Sequence, residues 1–147
     1  MPSAMPFGLK IAVIDRAFRK KMDEKAAAMG LTSVQLRVLG SISRLEAAGV
    51  EEIHQNDLER IEHVTHPAMT KLLQRLEAKG FVRCEPGQTD RRCKRVCSTE
   101  ASAGIHRLIL DQDAQALSEL CAGLSARQRQ ELEDLTDRLV KNIDAAF

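Results

Sequence analysis

A chain of 147 residues with 44% apolar content can form one domain, or one compact module with helical extensions, and its 3% aromatic share, without Trp or Tyr, makes the core aliphatic. The formal net charge of +1 gives no general attraction to polyanions, so a charged partner has to be met by local clustering. Lys10, Asp15 and Arg16 break any leader-like apolar stretch, and the longest charge-free run, Ala26 to Leu36, is too short to span a bilayer. The expected location is the cytoplasm, with no membrane partner.

Phe7, Ile11, Ile14, Phe18 and Met22 recur at helical spacing and predict a first helix that ends at Gly30. Thr32-Ser33-Val34-Gln35 is a capping box, and Leu31 with Leu36 forms a hydrophobic staple, so a second helix is expected from Ser33 to about Ala48, burying Val38, Leu39, Ile42 and Leu45. An extended piece through Ile53 leads to a brief helix near Asn56 to Ile61, with Leu58 and Ile61 inward. Thr65 then caps a fourth helix, Pro67 sits in its first turn where a missing N–H does no harm, and Lys79-Gly80 closes it. Met69, Leu72, Leu73 and Leu76 form its buried stripe, and His66, Thr70, Lys71, Gln74 and Arg75 point outward. Two short strands follow, Phe81 to Cys84 and Lys94 to Ser98, joined by a polar, basic turn. Thr99 can cap a fifth helix with Ile105, Leu108, Ile109, Leu117 and Leu120 apolar. Ser125-Ala126-Arg127-Gln128 is a second capping box, opening a sixth helix with Leu132, Leu135, Leu139, Ile143 and Phe147 on one face.

The chain is electrically polarised. Lys71 to Arg95 holds eight basic residues against three acidic ones, a local +5, whereas Asp111 to the end holds eight acidic against four basic, a local −4. A helix feeding a basic two-stranded hairpin can place one element in the major groove of a duplex and the other on the flanking backbone or minor groove. Each Lys or Arg that neutralises a phosphate releases a condensed counterion. The fold class expected is mainly α with a small β-hairpin wing: a winged helix-turn-helix core at about 32–99 within a single module spanning 1–147.

Lys71 and Arg75 lie four apart on one helical face and can enter the same groove; Arg can bridge guanine O6 and N7, while Lys more often sits on phosphate. Thr65, His66, Pro67, Thr70 and Gln74 complete the candidate reading surface, His66 as a phosphate contact or as part of the helix cap. Arg91, Arg92 and Lys94 are the wing candidates, with Arg92 suited to a narrow A/T-rich minor groove and Asp90 placed to orient it. The competing reading of these positions is a solvated charged surface.

The four cysteines (Cys84, Cys93, Cys97, Cys121) are expected to be reduced. Cys84, Cys93 and Cys97 crowd the hairpin among cations that would lower their thiol pKa values and favour redox reactivity; inert small residues are the alternative. Cys93 and Cys97, at roughly 13 Å, are too far apart to bridge each other. Pairing of Cys84 across the hairpin or to another chain stays open. The four histidines have no zinc-motif spacing, so neither metal nor cofactor is expected. There is no nucleophile elbow and no Gly-rich phosphate loop, so an enzyme is not expected.

The chain resembles the MarR family of transcriptional regulators. The likeness is carried by Leu31-Thr32 with Gln35 and Leu39, by Gln55 with Asp57-Leu58-Glu59, by Pro67 through Thr70 with Leu76-Glu77-Ala78-Lys79-Gly80-Phe81-Val82, by Asp90, Arg92 and Lys94 in the wing, and by Leu124-Ser125 to Asn142. It departs from the family pattern at Cys84, where Arg is frequent, at Ser98, where Leu is usual, and at Gly104, a glycine that normally comes sooner after the Thr. The resemblance implies a homodimer whose helices at 5–30 and 100–147 interlock, with recognition helices in successive major grooves of a double-stranded operator. It also implies repression or activation that a small-molecule effector or an oxidant modulates. Ile11, Ile14, Arg16, Phe18 and Arg37 are the candidate effector-binding residues. The alternative is a winged-helix protein-interaction module without sequence-specific DNA binding.

Overall fold

Helix α1 (Phe7–Ala28) is the first element of a computed structural model that describes residues 4–146. It is followed by α2 (Ser33–Ala47), α3 (Gln55–Glu62), α4 (His66–Ala78), strands β1 (Val82–Pro86) and β2 (Lys94–Ser98), a 3-10 turn at Glu100–Ser102, α5 (Ile105–Leu120) and α6 (Ala126–Ala146). The chain divides into two compact units, one up to Gln112 and one from Asp113 onward.

Local chemistry explains most of the element boundaries. The Thr32 hydroxyl accepts from the Gln35 amide at 3.2 Å while the Gln35 side chain accepts from the Thr32 amide at 3.0 Å, satisfying two otherwise unpaired donors at the start of α2. Ser125 and Gln128 do the same for α6, at 3.2 and 2.9 Å. Gly30 and Gly80 follow α1 and α4 with φ of +72° and +81°, where a side chain would be strained.

In the first unit the core is aliphatic. Leu36, Val38, Leu39 and Ile42 of α2 meet Leu58 of α3, Met69, Leu73 and Leu76 of α4, and Val82 and Val96 of the hairpin, all buried. Burying a side chain of this size stabilises by about 1.5–3 kcal/mol. Leu45, Val64 and Leu72 pack partly against this cluster.

β1 and β2 pair antiparallel, with Val82 opposite Ser98, Cys84 opposite Val96 and Pro86 opposite Lys94. β1 runs two residues past the expected Cys84 because the pairing continues to Pro86. On its other side β2 meets the segment before α3: the Val96 amide donates to the Ile53 carbonyl at 2.8 Å, and His54 bridges to Arg95.

Two expectations are corrected. Ile61 does not point inward as Leu58 does but is 43% exposed, bordering a surface groove with Leu45 and Val50 at the end of the short helix. Thr99 does not cap α5; it opens the 3-10 turn, donating its hydroxyl to the Gly80 carbonyl at 2.6 Å, and α5 starts at Ile105.

On α1, Phe7, Ile11 and Ile14 are exposed, Phe7 at 67%, while Met22 and Ala26 reach the core. In the second unit, Leu132, Leu135, Leu139 and Ile143 of α6 are exposed along one face. Phe147, the last expected member of that stripe, lies outside the described residues.

Candidate nucleic-acid interface

The first turn of α4 is built around a buried amide. Gln55, at the start of α3, donates from Nε2 to Thr70 Oγ1 at 2.8 Å and to Glu59 Oε1 at 3.0 Å, and lies 3.3 Å from His66 Nδ1. Glu59 Oε1 also contacts His66 Nδ1 at 2.6 Å. The chain between the two helices turns through His63, the one non-glycine residue with positive φ (52°) among those described. Thr65 caps α4 by accepting from the Ala68 amide at 3.4 Å. Thr70 and His66, expected as outward readers, are thus partners of Gln55 and Glu59, although His66 keeps an exposed face. Their roles were not visible as a local pattern because the bonds cross from one helix to another.

Lys71, Gln74 and Arg75 stand out on the opposite side of the Met69-Leu73-Leu76 stripe, exposed and without a side-chain hydrogen bond or ion pair among the described residues. Paired side chains would have to break bonds before meeting a ligand; these do not. Lys79, counted with the basic cluster, is engaged elsewhere: its Nζ donates to the Gly30 carbonyl at 2.6 Å and to Gln35 Oε1 at 3.2 Å, fixing the end of α4 to the turn before α2. Arg83 pairs with Glu85 at 3.2 Å. Of the eight basic residues in this segment, the exposed ones not engaged in these bonds are Lys71, Arg75, Arg91, Arg92 and Lys94.

The wing is held at root and tip by carboxylates. At the root, Glu77 Oε2 accepts from the Cys84 amide at 2.6 Å and Glu46 Oε1 from the Ser98 hydroxyl at 2.7 Å. The usual Leu at Ser98 could not make that second bond. At the tip, Gly87 donates to the Cys93 carbonyl at 2.8 Å, and a Cβ on Gly87 would collide with the Asp90 carbonyl oxygen. Asp90 does not hold the Arg92 guanidinium as expected; its Oδ1 accepts from the Arg92 backbone amide at 2.9 Å, a turn-forming bond. Arg91 and Arg92 are exposed.

All four cysteines are free. The expected lowering of thiol pKa fails at Cys84: partial burial, then the Glu77 carboxylate, push it up, against a smaller opposing effect of Lys94. Strand register also argues against a bridge across the hairpin, because Cys84 faces Val96 while Cys97 lies opposite Arg83 on the other face.

Of the effector candidates, Ile11, Ile14 and Arg16 are exposed and Phe18 is half-buried. The Arg37 Nε is held by Glu62 Oε2 at 2.6 Å, and the other Glu62 oxygen accepts from Ser41 at 2.5 Å. A shallow groove of about 340 Å³ is lined by Leu45, Val50, Asp57, Arg60 and Ile61, none of which is in that candidate set.

Comparison with known proteins bears on this arrangement. Residues 29–92, which hold α2, α3, α4, β1 and most of the wing turn, match the family model described as MarR family. The reduced form of MarR from E. coli is 26% identical, the match covering 93% of this chain and 98% of that one, with a TM-score of 0.77. From α2 to the wing turn the chain is similar to the MarR family. A mutant of the E. coli MarR, solved in complex with operator DNA, is likewise 26% identical, with 92% of this chain and 94% of that one covered and a TM-score of 0.70. A MarR transcriptional regulator from Methanosarcina mazei Go1, at 22% identity, a TM-score of 0.80 and coverage of 95% and 97%, shares the fold. No helix among the described residues is long and apolar enough to cross a membrane.

Proposed function

We propose that this chain is a MarR-type, sequence-specific double-stranded DNA-binding transcriptional regulator that acts as a homodimeric repressor. The observation that carries the reading is the exposed, unpaired face of Lys71, Gln74 and Arg75 on a helix anchored at both ends, by Gln55 and by Lys79. Such a face can enter a major groove without first losing internal bonds, while Arg91 and Arg92 reach the flanking minor groove. The E. coli relative solved with operator DNA supports the same partner.

Dimerisation is supported by the exposed apolar faces of α1 and α6, elements within the expected interlocking segments 5–30 and 100–147. A dimer bound across a promoter excludes other proteins from it, which is the sense of repression here. Effector modulation through Ile11, Ile14, Arg16, Phe18 and Arg37, or oxidation at Cys84, Cys93 or Cys97, belongs to the same proposal. Any ligand using Arg37 has to compete with Glu62 for it.

The test is binding to genomic fragments over a salt series. Affinity should fall by orders of magnitude from low to physiological salt and concentrate on discrete sites. Salt-insensitive binding, or none, would favour a protein-interaction module.

A further inference from the structure

Among the described residues, Glu52 supplies the only side-chain hydrogen bonds that reach the wing tip, residues 87–93, from outside the hairpin. Its Oε1 accepts from the Gln88 amide at 2.8 Å and its Oε2 from the Thr89 hydroxyl at 3.2 Å, while His54 Nε2 lies 3.2 Å from Oε1 on the other side. Glu52 immediately precedes Ile53, which is buried in the core with Leu58 and Leu73 and also accepts from the Val96 amide at the base of the wing, so Glu52 is fixed to the body of the domain. Gly87 leaves the room the carboxylate occupies, since a Cβ there would come within 3.0 Å of Oε1. The remaining bonds of the tip are internal to it: Gly87 to Cys93, Cys93 to Asp90, and Arg92 to Asp90. Without Glu52 the turn would keep its shape but could swing about the ends of β1 and β2.

We propose that Glu52 is a positioning residue for the wing: by fixing Gln88 and Thr89 to the body of the domain, it sets where Arg91 and Arg92 are presented and thereby tunes the reading of the DNA flanking the half-site. The proposal rests on the DNA-binding reading above. Glu52 itself touches no nucleic acid in this scheme; a carboxylate beside phosphates would repel them. Its contribution is to remove the freedom of a cation-bearing loop before binding, so that less order has to be imposed when the groove is met. Minor-groove width is read by where an Arg can be inserted, so flank preference depends on that loop being placed.

The experiment uses full-length wild type, Glu52→Ala and Thr89→Val, with two operators sharing identical half-sites and differing only in A/T-rich or G/C-rich flanks. In Glu52→Ala the Gln88 amide should exchange about tenfold faster or more, as expected when a charge-assisted bond is removed. The A/T preference should fall at least by half towards parity, with base preferences inside the half-site unchanged. Thr89→Val, an exposed change that leaves the core intact, should move both readouts the same way by less. Wild-type flank preference in Glu52→Ala overturns the proposal, as does loss of half-site preferences alongside it. If Glu52→Ala does not fold, an unaltered flank preference in Thr89→Val overturns it instead. A wild type with no salt-dependent binding removes the parent reading, whereas a wild type that binds but ignores its flanks removes only this one.

Discussion

Gln55 Nε2 and Thr70 Oγ1 meet at 2.8 Å across the turn that joins α3 to α4, and the amide is buried. Because Gln55 also reaches Glu59, its removal strands several polar groups at once. Gln55→Ala should lower unfolding free energy by about 1–3 kcal/mol, read from urea denaturation. Operator affinity should fall along with stability, without a change in which bases are preferred. A variant as stable as wild type would show that the turn is held by packing alone.

Substitutions on the exposed face should separate reading from positioning. Arg75→Ala should cost about 1–3 kcal/mol on the operator and relax preference at one base pair per half-site. Lys71→Ala should weaken binding almost equally on all sequences and reduce the salt slope by about one for each phosphate left unneutralised. Arg92→Ala should act chiefly where the flank is A/T-rich. Identical specificity profiles for all three on a randomised operator library would remove α4 and the wing as the readers.

The raised pKa of Cys84 leads to a chemical test. With less thiolate than an ordinary cysteine at a given pH, Cys84 should react with iodoacetamide more slowly than the same thiol in denatured chain. Mass spectrometry after timed alkylation at about pH 8 reads this directly, near the ordinary thiol pKa. In the Glu77→Gln variant, which loses a nearby negative charge, Cys84 should react faster. Equal operator affinity before and after peroxide, with Cys93 or Cys97 confirmed oxidised, would exclude those thiols as a switch.

The Glu52 carboxyl is held below its ordinary value of 4.5, first by the Gln88 amide and also by Thr89 and His54, with desolvation opposing. A carboxyl with a depressed folded pKa contributes stability above its unfolded pKa and loses it as pH falls through the folded one. The tip should therefore stay anchored from neutral pH down to 4.5 and loosen only below that. Protection of the Gln88 amide, followed by hydrogen exchange as pH is lowered, should drop in that acid window. Glu52→Gln should show no such step.

Deleting the residues after Leu124 should abolish dimerisation and tight operator binding together. Sedimentation of the intact chain should give twice the 16.3 kDa of one copy, and the truncated chain a monomer. A truncated protein that binds its full operator as tightly as the intact one would show that α6 has another role.

Capping and periodicity were legible because they are local. Thr32 with Gln35, Ser125 with Gln128, and Gly30 and Gly80 at helix ends each announce a boundary within four residues of themselves. Partner choice was not legible. Lys79 and Arg75 look alike in sequence, yet one is bonded to Gly30 and the other is free, because only the fold brings the turn before α2 against the end of α4. Asp90 could be matched to Arg92 but not to the correct atom, since backbone and guanidinium donors lie at the same sequence distance. Glu52 stands 36 residues from Gln88, and no spacing rule connects them.

Lys79 and Gln55 together leave α4 no rotational play. A roll about the helix axis would pull Lys79 from the Gly30 carbonyl at one end and Thr70 from Gln55 at the other. The direction in which Arg75 and Lys71 leave the domain is then a property of the backbone, set before any encounter. In a dimer of the kind proposed, accommodation of half-sites at different separations or phase would fall to the joint between the two copies, since α4 is held in place within each.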